Sequence, residues 1–300
     1  TINAMALQLS PDEFGDLVDI YGGREDLEHG KVRILYAMSF VDDPTRIFRA
    51  LRFTERFGFE IEEKTLFHLK NAVSDNPLES VSGDRIRQEL ELIFEEPKTW
   101  TILKRLFDFG VLEELQDDLM PRVEMKHWFG QVDDRVKEFS INAPEMIYYC
   151  ILCEPLGPDE VNQLIDRLNF RRQAAEILRQ NAHFASKRSD LKEADQPSEV
   201  YGSLTDIDHR EVLVARLIME PDTVRRKIKD YLDQYENRSP LVTGDELQKW
   251  GIEPGPEMGQ ILDELFKYQL DHDVDSQSEL REYFEENKER LIQAREEPSA

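Results

Sequence analysis

The residues best suited to chemistry lie between Val41 and Phe59. Asp42 and Asp43 precede Pro44, and four arginines follow: Arg46, Arg49, Arg52 and Arg56. In a helix advancing about 100° per residue, these four fall within one arc of about 120°. Ile47, Ala50, Leu51, Thr54 and Phe57 fill the adjoining arc, so one face packs and the other presents guanidinium groups. Asp43 suits the helix N-cap with Arg46 one turn later, which sets a carboxylate acceptor beside a planar donor fork. Such a pair can read the edge of a heterocyclic base, and the remaining arginines suit phosphates through bidentate geometry. A solvated arginine face with Asp43 as a simple cap is the plainer reading of the same residues.

The elements that must position these residues are mostly helices. Residues 2–9 and 14–21 read as two strands joined by Ser10-Pro11-Asp12-Glu13, a turn composition, and form an expected hairpin. Beyond Tyr21 no strand signal is expected. Pro44 heads a helix that Gly58 closes, and Pro97 opens another that Gly110 closes. Helical periodicity recurs near 62–73, 83–95, 133–153, 158–168, 171–186, 208–218, 222–237, 243–249, 256–270 and 276–294. The fold class is therefore mainly α, a short β-hairpin followed by an irregular helical array.

The charge is lopsided: 38 Lys+Arg against 63 Asp+Glu give a net −25 over 300 residues. Such a surface favours solubility, also suits a salty habitat, and repels nucleic acid except where basic residues cluster. Two stretches do cluster. Arg167, Arg171 and Arg172 fall within the positive segment 164–190, and Arg225, Arg226 and Lys227 within 216–229. These are the candidate RNA phosphate contacts. Neither a leader nor a run of 18 apolar residues is present, so a membrane role is not expected and the cytoplasm is.

Other candidates carry less. Cys150 and Cys153 lie in an apolar helical run without a second ligand pair, so a pair of buried thiols is expected rather than zinc. The six histidines form no metal-binding spacing. Asp206/Asp208 and Asp271/Asp273/Asp275 have Asp-x-Asp spacing but read as solvated acidic runs. No catalytic or metal-binding residue is assigned.

Asp42-Asp43-Pro44-Thr45-Arg46-Ile47-Phe48-Arg49-Ala50-Leu51-Arg52-Phe53, with Gly58-Phe59 behind it, resembles the nucleotide-selecting motif of class II tRNA nucleotidyltransferases and bacterial poly(A) polymerases. Thr1-Ile2-Asn3-Ala4-Met5-Ala6 is similar to the end of the family's Arg-Asp-Phe-Thr-Ile-Asn-Ala motif. Asp19 to Leu27 resembles its hinge, and Ser82 to Leu90 the motif that braces the nucleotide-binding helix. Leu241 to Gly244 and Gly251 to Gly259 look like the body or tail segment of bacterial members. The resemblance runs to about residue 270, although 120–240 holds nothing diagnostic.

The resemblance implies a template-independent RNA 3′-end nucleotidyltransferase that uses CTP or ATP with Mg²⁺, most often on the tRNA 3′ end. Asp43 and Arg46 would read the base, Asn3 would help hold ribose or triphosphate, and Arg49 and Arg52 would support the pocket. Asp42 stands where many relatives carry Glu; Arg85 and Glu89 would brace the helix. The implied organisation is a head remnant at 1–30, a neck at 31–120, a body at 121–240 and a tail at 241–300. The family's metal-binding Asp-x-Asp would lie upstream of Thr1, so the 300 residues alone are expected to be inactive. Poly(A) synthesis, a non-catalytic helical RNA-binding module, and a scaffold whose arginines meet an acidic protein stay open as alternatives.

Overall fold

The computed structural model describes residues 1–293. They form two compact units: Thr1–His183 with His209–Met219, and Phe184–Asp208 with the chain from Glu220. Helices dominate both.

The first unit opens with a 3₁₀ turn at Ile2–Ala4 and the antiparallel pair β1 (Ala6–Leu7) and β2 (Leu17–Val18), in register Ala6↔Val18 and Leu7↔Leu17. The expected hairpin exists, but each strand is only two residues long. Helix α1 (Gly23–Glu28) follows, its first amides capped by Asp19, whose carboxylate accepts from Gly23 N (2.8 Å) and Arg24 N (2.9 Å). Next come β3 (Lys31–Val32), α2 (Ser39–Asp42), α3 (Thr45–Phe57), β4 (Glu60–Ile61) and α4 (Glu63–Val73). β3 and β4 pair in parallel, Lys31↔Glu60 and Val32↔Ile61. This corrects the expectation of no strand beyond Tyr21: two-residue strands are too short to show alternation.

Helix α3 carries the arginines. Pro44 precedes it, and it stops at Gly58, whose φ of 69° is left-handed backbone that glycine adopts without strain. Ile47, Phe48 and Leu51 on α3 are fully buried, as are Ile86, Leu90 and Ile93 of α5 (Gly83–Phe94) and Ile102, Leu103 and Leu106 of α6 (Thr99–Asp108). Helix α3 packs on both α5 and α6. Each such side chain contributes about 1.5–3 kcal/mol by leaving water, and together these residues hold α3 in place.

The unit continues with α7 (Met125–Phe129), α8 (Val132–Phe139), α9 (Pro144–Leu152) and α10 (Pro158–Arg167). The single helix expected over 133–153 is two. Ser140 turns left-handed at φ 51°, and Pro144, lacking an amide hydrogen, starts the second. The start of α5 meets the end of α10 closely: a Cβ on Gly83 would lie 2.4 Å from the Arg167 carbonyl oxygen and 2.6 Å from the Leu168 carbonyl carbon. Helix α11 (Arg172–Glu193) has residues in both units, and α13 (Arg210–Met219), packed against α9, completes the first.

The second unit holds α12 (Pro197–Leu204), α14 (Asp222–Asp230) with a following π turn at Tyr231–Tyr235, α15 (Gly244–Lys249), α16 (Pro256–Asp271) and α17 (Gln277–Gln293). Its core gathers Val242, Leu247, Ile252, Ile261, Leu265, Val274, Leu280, Phe284 and Leu291.

Candidate functional site

The residue before a proline is steered to extended backbone, and Asp43 sits at φ −147°, ψ 92°. That conformation turns its carboxylate back over the start of α3. Oδ1 accepts from Thr45 N (3.2 Å), Thr45 Oγ1 (2.7 Å) and Arg85 Nη2 (2.9 Å). Asp43 thus serves the first turn of α3 as the cap reading expected, although Pro44 is the residue at the helix boundary. Partial burial pushes the Asp43 carboxyl up, but the Thr45 hydrogen bonds and the Arg85 charge outweigh it and hold the group below its usual value.

Oδ2 of Asp43 faces Arg46, 3.7 Å from its Nε. Arg46 Nη1 donates to Ser39 Oγ (2.8 Å), Tyr36 Oη (3.1 Å) and Ser39 O (3.2 Å). The Tyr36 hydrogen bond leads the interactions that raise the Arg46 guanidinium above its usual value. The opposite nitrogen, Nη2, has no hydrogen-bond partner among the described residues. Asp43 Oδ2 and Arg46 Nη2 thus make no hydrogen bond to the described residues.

Arg46 and Arg49 line a cavity of about 210 Å³, together with Asn3, Ser39, Phe40 and Phe53. Sites that enclose a drug-sized ligand run to about 300–1,000 Å³, so this one suits a fragment such as a single heterocycle. Asn3 reaches it from the 3₁₀ turn, and Arg33 and Ile34 from the segment after β3. That segment is tied down by Arg33 Nη2, 2.7 Å from Asp26, a carboxylate only 1% exposed. Arg49 has no hydrogen-bond partner among the described residues.

Arg52 is elsewhere. It is 8% exposed, and its Nη1 lies 3.3 Å from Glu96 Oε1, which Arg56 Nη1 shares at 3.2 Å. The four arginines therefore do not present one open face. At about 100° per residue Arg52 stands only about 40° from the buried Phe48, on the edge of the packed side. Arg85 sits on the Asp43 carboxylate, and Glu89 lies behind α3 with Oε2 buried and without a hydrogen-bond partner among the described residues. Burial pushes the Glu89 carboxyl up, against the pull of Arg52 and Arg49. Asp42 accepts from the Tyr36 hydroxyl at 2.9 Å. Tyr36 and Ser39 had no signal in the sequence, since a lone Tyr in a loop and a Ser opening a four-residue helix carry no periodicity.

The basic candidates separate by what already holds them. Arg167 donates to the carbonyls of Leu78 (2.7 Å) and Val81 (3.3 Å), joining α10 to the 3₁₀ turn Pro77–Ser80. Arg171 and Arg172 are exposed, and their side chains make no hydrogen bond or ion pair with the described residues. In the second unit, Arg225 lies 3.2 Å from Asp222 and Lys227 donates to the carbonyls of Leu191 (2.7 Å) and Ala194 (2.5 Å), while Arg226 is exposed and unpaired among the described residues.

Cys150 and Cys153 are buried free thiols, the latter pushed up to about 12 by burial. Among the acidic runs, Asp206 binds Lys187 (2.6 Å), Asp271 accepts from Ser198 N (2.8 Å), and Asp273 and Asp275 share Arg238 (3.0 and 2.9 Å). No group of three or more His, Cys, Asp or Glu is placed to hold a metal among the described residues.

Asp43 and Arg46 thus pair at the start of α3, and Arg46 with Arg49 carries that helix to the wall of the cavity. Residues 58–121 match the family described as a probable RNA and SrmB-binding site of polymerase A. The chain is 30% identical to the A-adding tRNA nucleotidyltransferase of Geobacter sulfurreducens, over 90% of this chain and 32% of that protein, so it spans about a third of that relative's length. Its fold matches the Thermotoga maritima CCA-adding enzyme complexed with tRNA at a TM-score of 0.76 and 30% identity, covering 96% of this chain and 72% of that one. A CCA-adding enzyme in complex with ATP matches at a TM-score of 0.77 and 30% identity, covering 95% and 70%. The chain belongs to the tRNA nucleotidyltransferase and poly(A) polymerase family.

Proposed function

We propose that this chain supplies base selection and RNA binding to a template-independent nucleotidyltransferase that adds CMP or AMP from CTP or ATP to the tRNA 3′ end. The observation that carries this reading is the Asp43–Arg46 pair, with Asp43 Oδ2 3.7 Å from Arg46 Nε and Arg46 itself lining the cavity. Cytosine and adenine share an edge in which an exocyclic amine adjoins an unprotonated ring nitrogen. The amine donates to Asp43 Oδ2, and the ring nitrogen accepts from the Arg46 guanidinium. Uracil and guanine carry a carbonyl oxygen and a ring N–H there, which would set acceptor against acceptor and donor against donor. Arg49 and Asn3, at the same cavity, meet the sugar and phosphates. Arg85 acts by holding Asp43, and Arg52 and Glu89 by holding α3 against α5.

Phosphoryl transfer in this family is expected to need Mg²⁺, which stabilises charge on the triphosphate and activates the attacking hydroxyl. The described residues do not fit that ion: the acidic runs are spent on Lys187, Ser198 and Arg238. No step through a metal is therefore assigned to this chain, and we propose that the 300 residues alone do not catalyse. Arg171, Arg172 and Arg226 are the proposed RNA contacts. The match of 58–121 to polymerase A favours poly(A) synthesis as a second reading.

The test is equilibrium binding of the four nucleoside triphosphates to the chain, alone and joined to a nucleotidyltransferase head, beside a D43A/R46A variant. Binding of ATP or CTP over UTP and GTP that vanishes in the variant supports the reading. A chain that binds RNA but no nucleotide in either form would refute it. Sequencing products from tRNA lacking its CCA end, and from unstructured RNA, separates tRNA repair from poly(A) synthesis.

A further inference from the structure

We infer that Tyr36 is a positioning residue for base selection, its hydroxyl oriented by Asp42 so that the Arg46 guanidinium is held with one edge toward the base. The inference rests on the reading of Asp43 and Arg46 given above.

An arginine side chain has much rotamer freedom to lose when it is fixed. A recognition group must be held within about 0.5 Å to discriminate. Something must therefore fix Arg46. Its Nη1 converges on Ser39 Oγ, Ser39 O and Tyr36 Oη, while Nε stays toward Asp43. Of these three acceptors, the Tyr36 hydroxyl is the one whose polarity is set by a further charge. A phenol has a single proton. Tyr36 spends it on Asp42 Oδ2 at 2.9 Å, so only lone pairs are left to face Arg46 at 3.1 Å. The guanidinium carbon also lies 5.9 Å from the centre of the Tyr36 ring, within reach of a cation–π attraction.

Tyr36 is itself anchored. Two residues before it, Ile34 N donates to Thr65 Oγ1 (3.2 Å) on α4, and one residue further back Arg33 is paired to Asp26. The ring does not line the cavity, so Tyr36 acts through Arg46 rather than on the base. Asp42, whose place in the motif is otherwise unexplained, acquires a role one step further out.

The test uses Y36F, which deletes the hydroxyl and keeps the ring, with D42A and D42N, the second of which retains an acceptor oxygen. Binding of CTP, ATP, UTP and GTP is measured for each, with melting temperature as a control. Removing a hydrogen bond to a charged group is expected to cost about tenfold in preference for CTP or ATP over UTP. Y36F and D42A should show this loss at unchanged melting temperature, D42N should recover most of it, and Y36F/D42A should be no worse than Y36F. Unchanged preference in Y36F overturns the inference, as does an equal loss for all four nucleotides with a lower melting temperature.

If the wild-type chain prefers no nucleotide in either form, the proposed function falls and the inference is decided by ¹⁵N NMR of the Arg46 Nε–Hε group. Slow exchange in the wild type that becomes fast in Y36F supports positioning; identical exchange overturns it.

Discussion

Arg85, at the start of α5, places Nη2 2.9 Å from Asp43 Oδ1, joining the support helix to the carboxylate proposed to read the base. Because the bond occupies Oδ1, the oxygen nearer Arg46 stays available.

This link helps to keep Asp43 ionised to lower pH than an ordinary carboxylate. Asp43 is held below its usual value, so its charge and the hydrogen bonds it accepts are complete above the ordinary carboxylate value. They are lost as pH falls through the depressed one. Arg85→Ala removes one of the interactions that lower Asp43 and shifts protonation to higher pH. A carboxyl ¹³C NMR titration of Asp43 in wild type and R85A should show that upward shift; an unmoved or lowered midpoint contradicts it.

Glu96 serves two arginines of unequal burial. Glu96→Gln leaves Arg52 buried without its counter-charge and is expected to destabilise by on the order of 3 kcal/mol. Arg56 is half exposed, so Arg56→Ala should cost less than about 1 kcal/mol. Urea unfolding of the two variants measures the difference, and equal costs would refute it.

Gly83 has no room for a methyl group beside the backbone of Arg167 and Leu168. Gly83→Ala should destabilise by about 1–3 kcal/mol through forced separation of α5 from the end of α10. Denaturant unfolding checks the cost, and a neutral substitution would mean the contact is looser than described.

The basic candidates divide into proposed RNA contacts and braces. Arg226→Ala, and R171A/R172A together, should weaken RNA binding and lower the slope of log affinity against log salt by roughly one for each phosphate no longer neutralised. Arg167→Ala should leave that slope unchanged and lower the melting temperature, since its guanidinium is committed to the Leu78 and Val81 carbonyls. Filter binding across a salt series distinguishes the two behaviours.

What the sequence makes legible is local. Pro44 and Gly58 bracket α3 because their backbone preferences act within one turn. The nearness of Asp43 and Arg46 follows from helix geometry alone. Arg52 escapes the same geometry because the carboxylate that draws it inward, Glu96, is 44 residues away. Tyr36 is brought to Arg46 by the path of a loop, and Ser39 by the short helix α2 that follows it. The split between α8 and α9 turns on Ser140 adopting a left-handed conformation that its residue type does not announce. Lys227 looks like a phosphate contact in a run of cations, and becomes a cap only once α11 ends beside it.

The two-residue parallel pair has a mechanical consequence. Glu60 N donates to Gly30 O (2.8 Å), Glu62 N donates to Val32 O (3.0 Å), and Lys31 bonds Glu60 (2.6 Å), so the chain entering the loop that carries Tyr36 is fastened to the chain leaving α3. A pull arriving from the residues ahead of Gly30 is therefore shared between the chain that leads to α3 and, across that clasp, the chain that leads into α4. Part of the tension is thereby diverted from the loop that leads to Arg46, and the clasp must shear before that loop carries all of it.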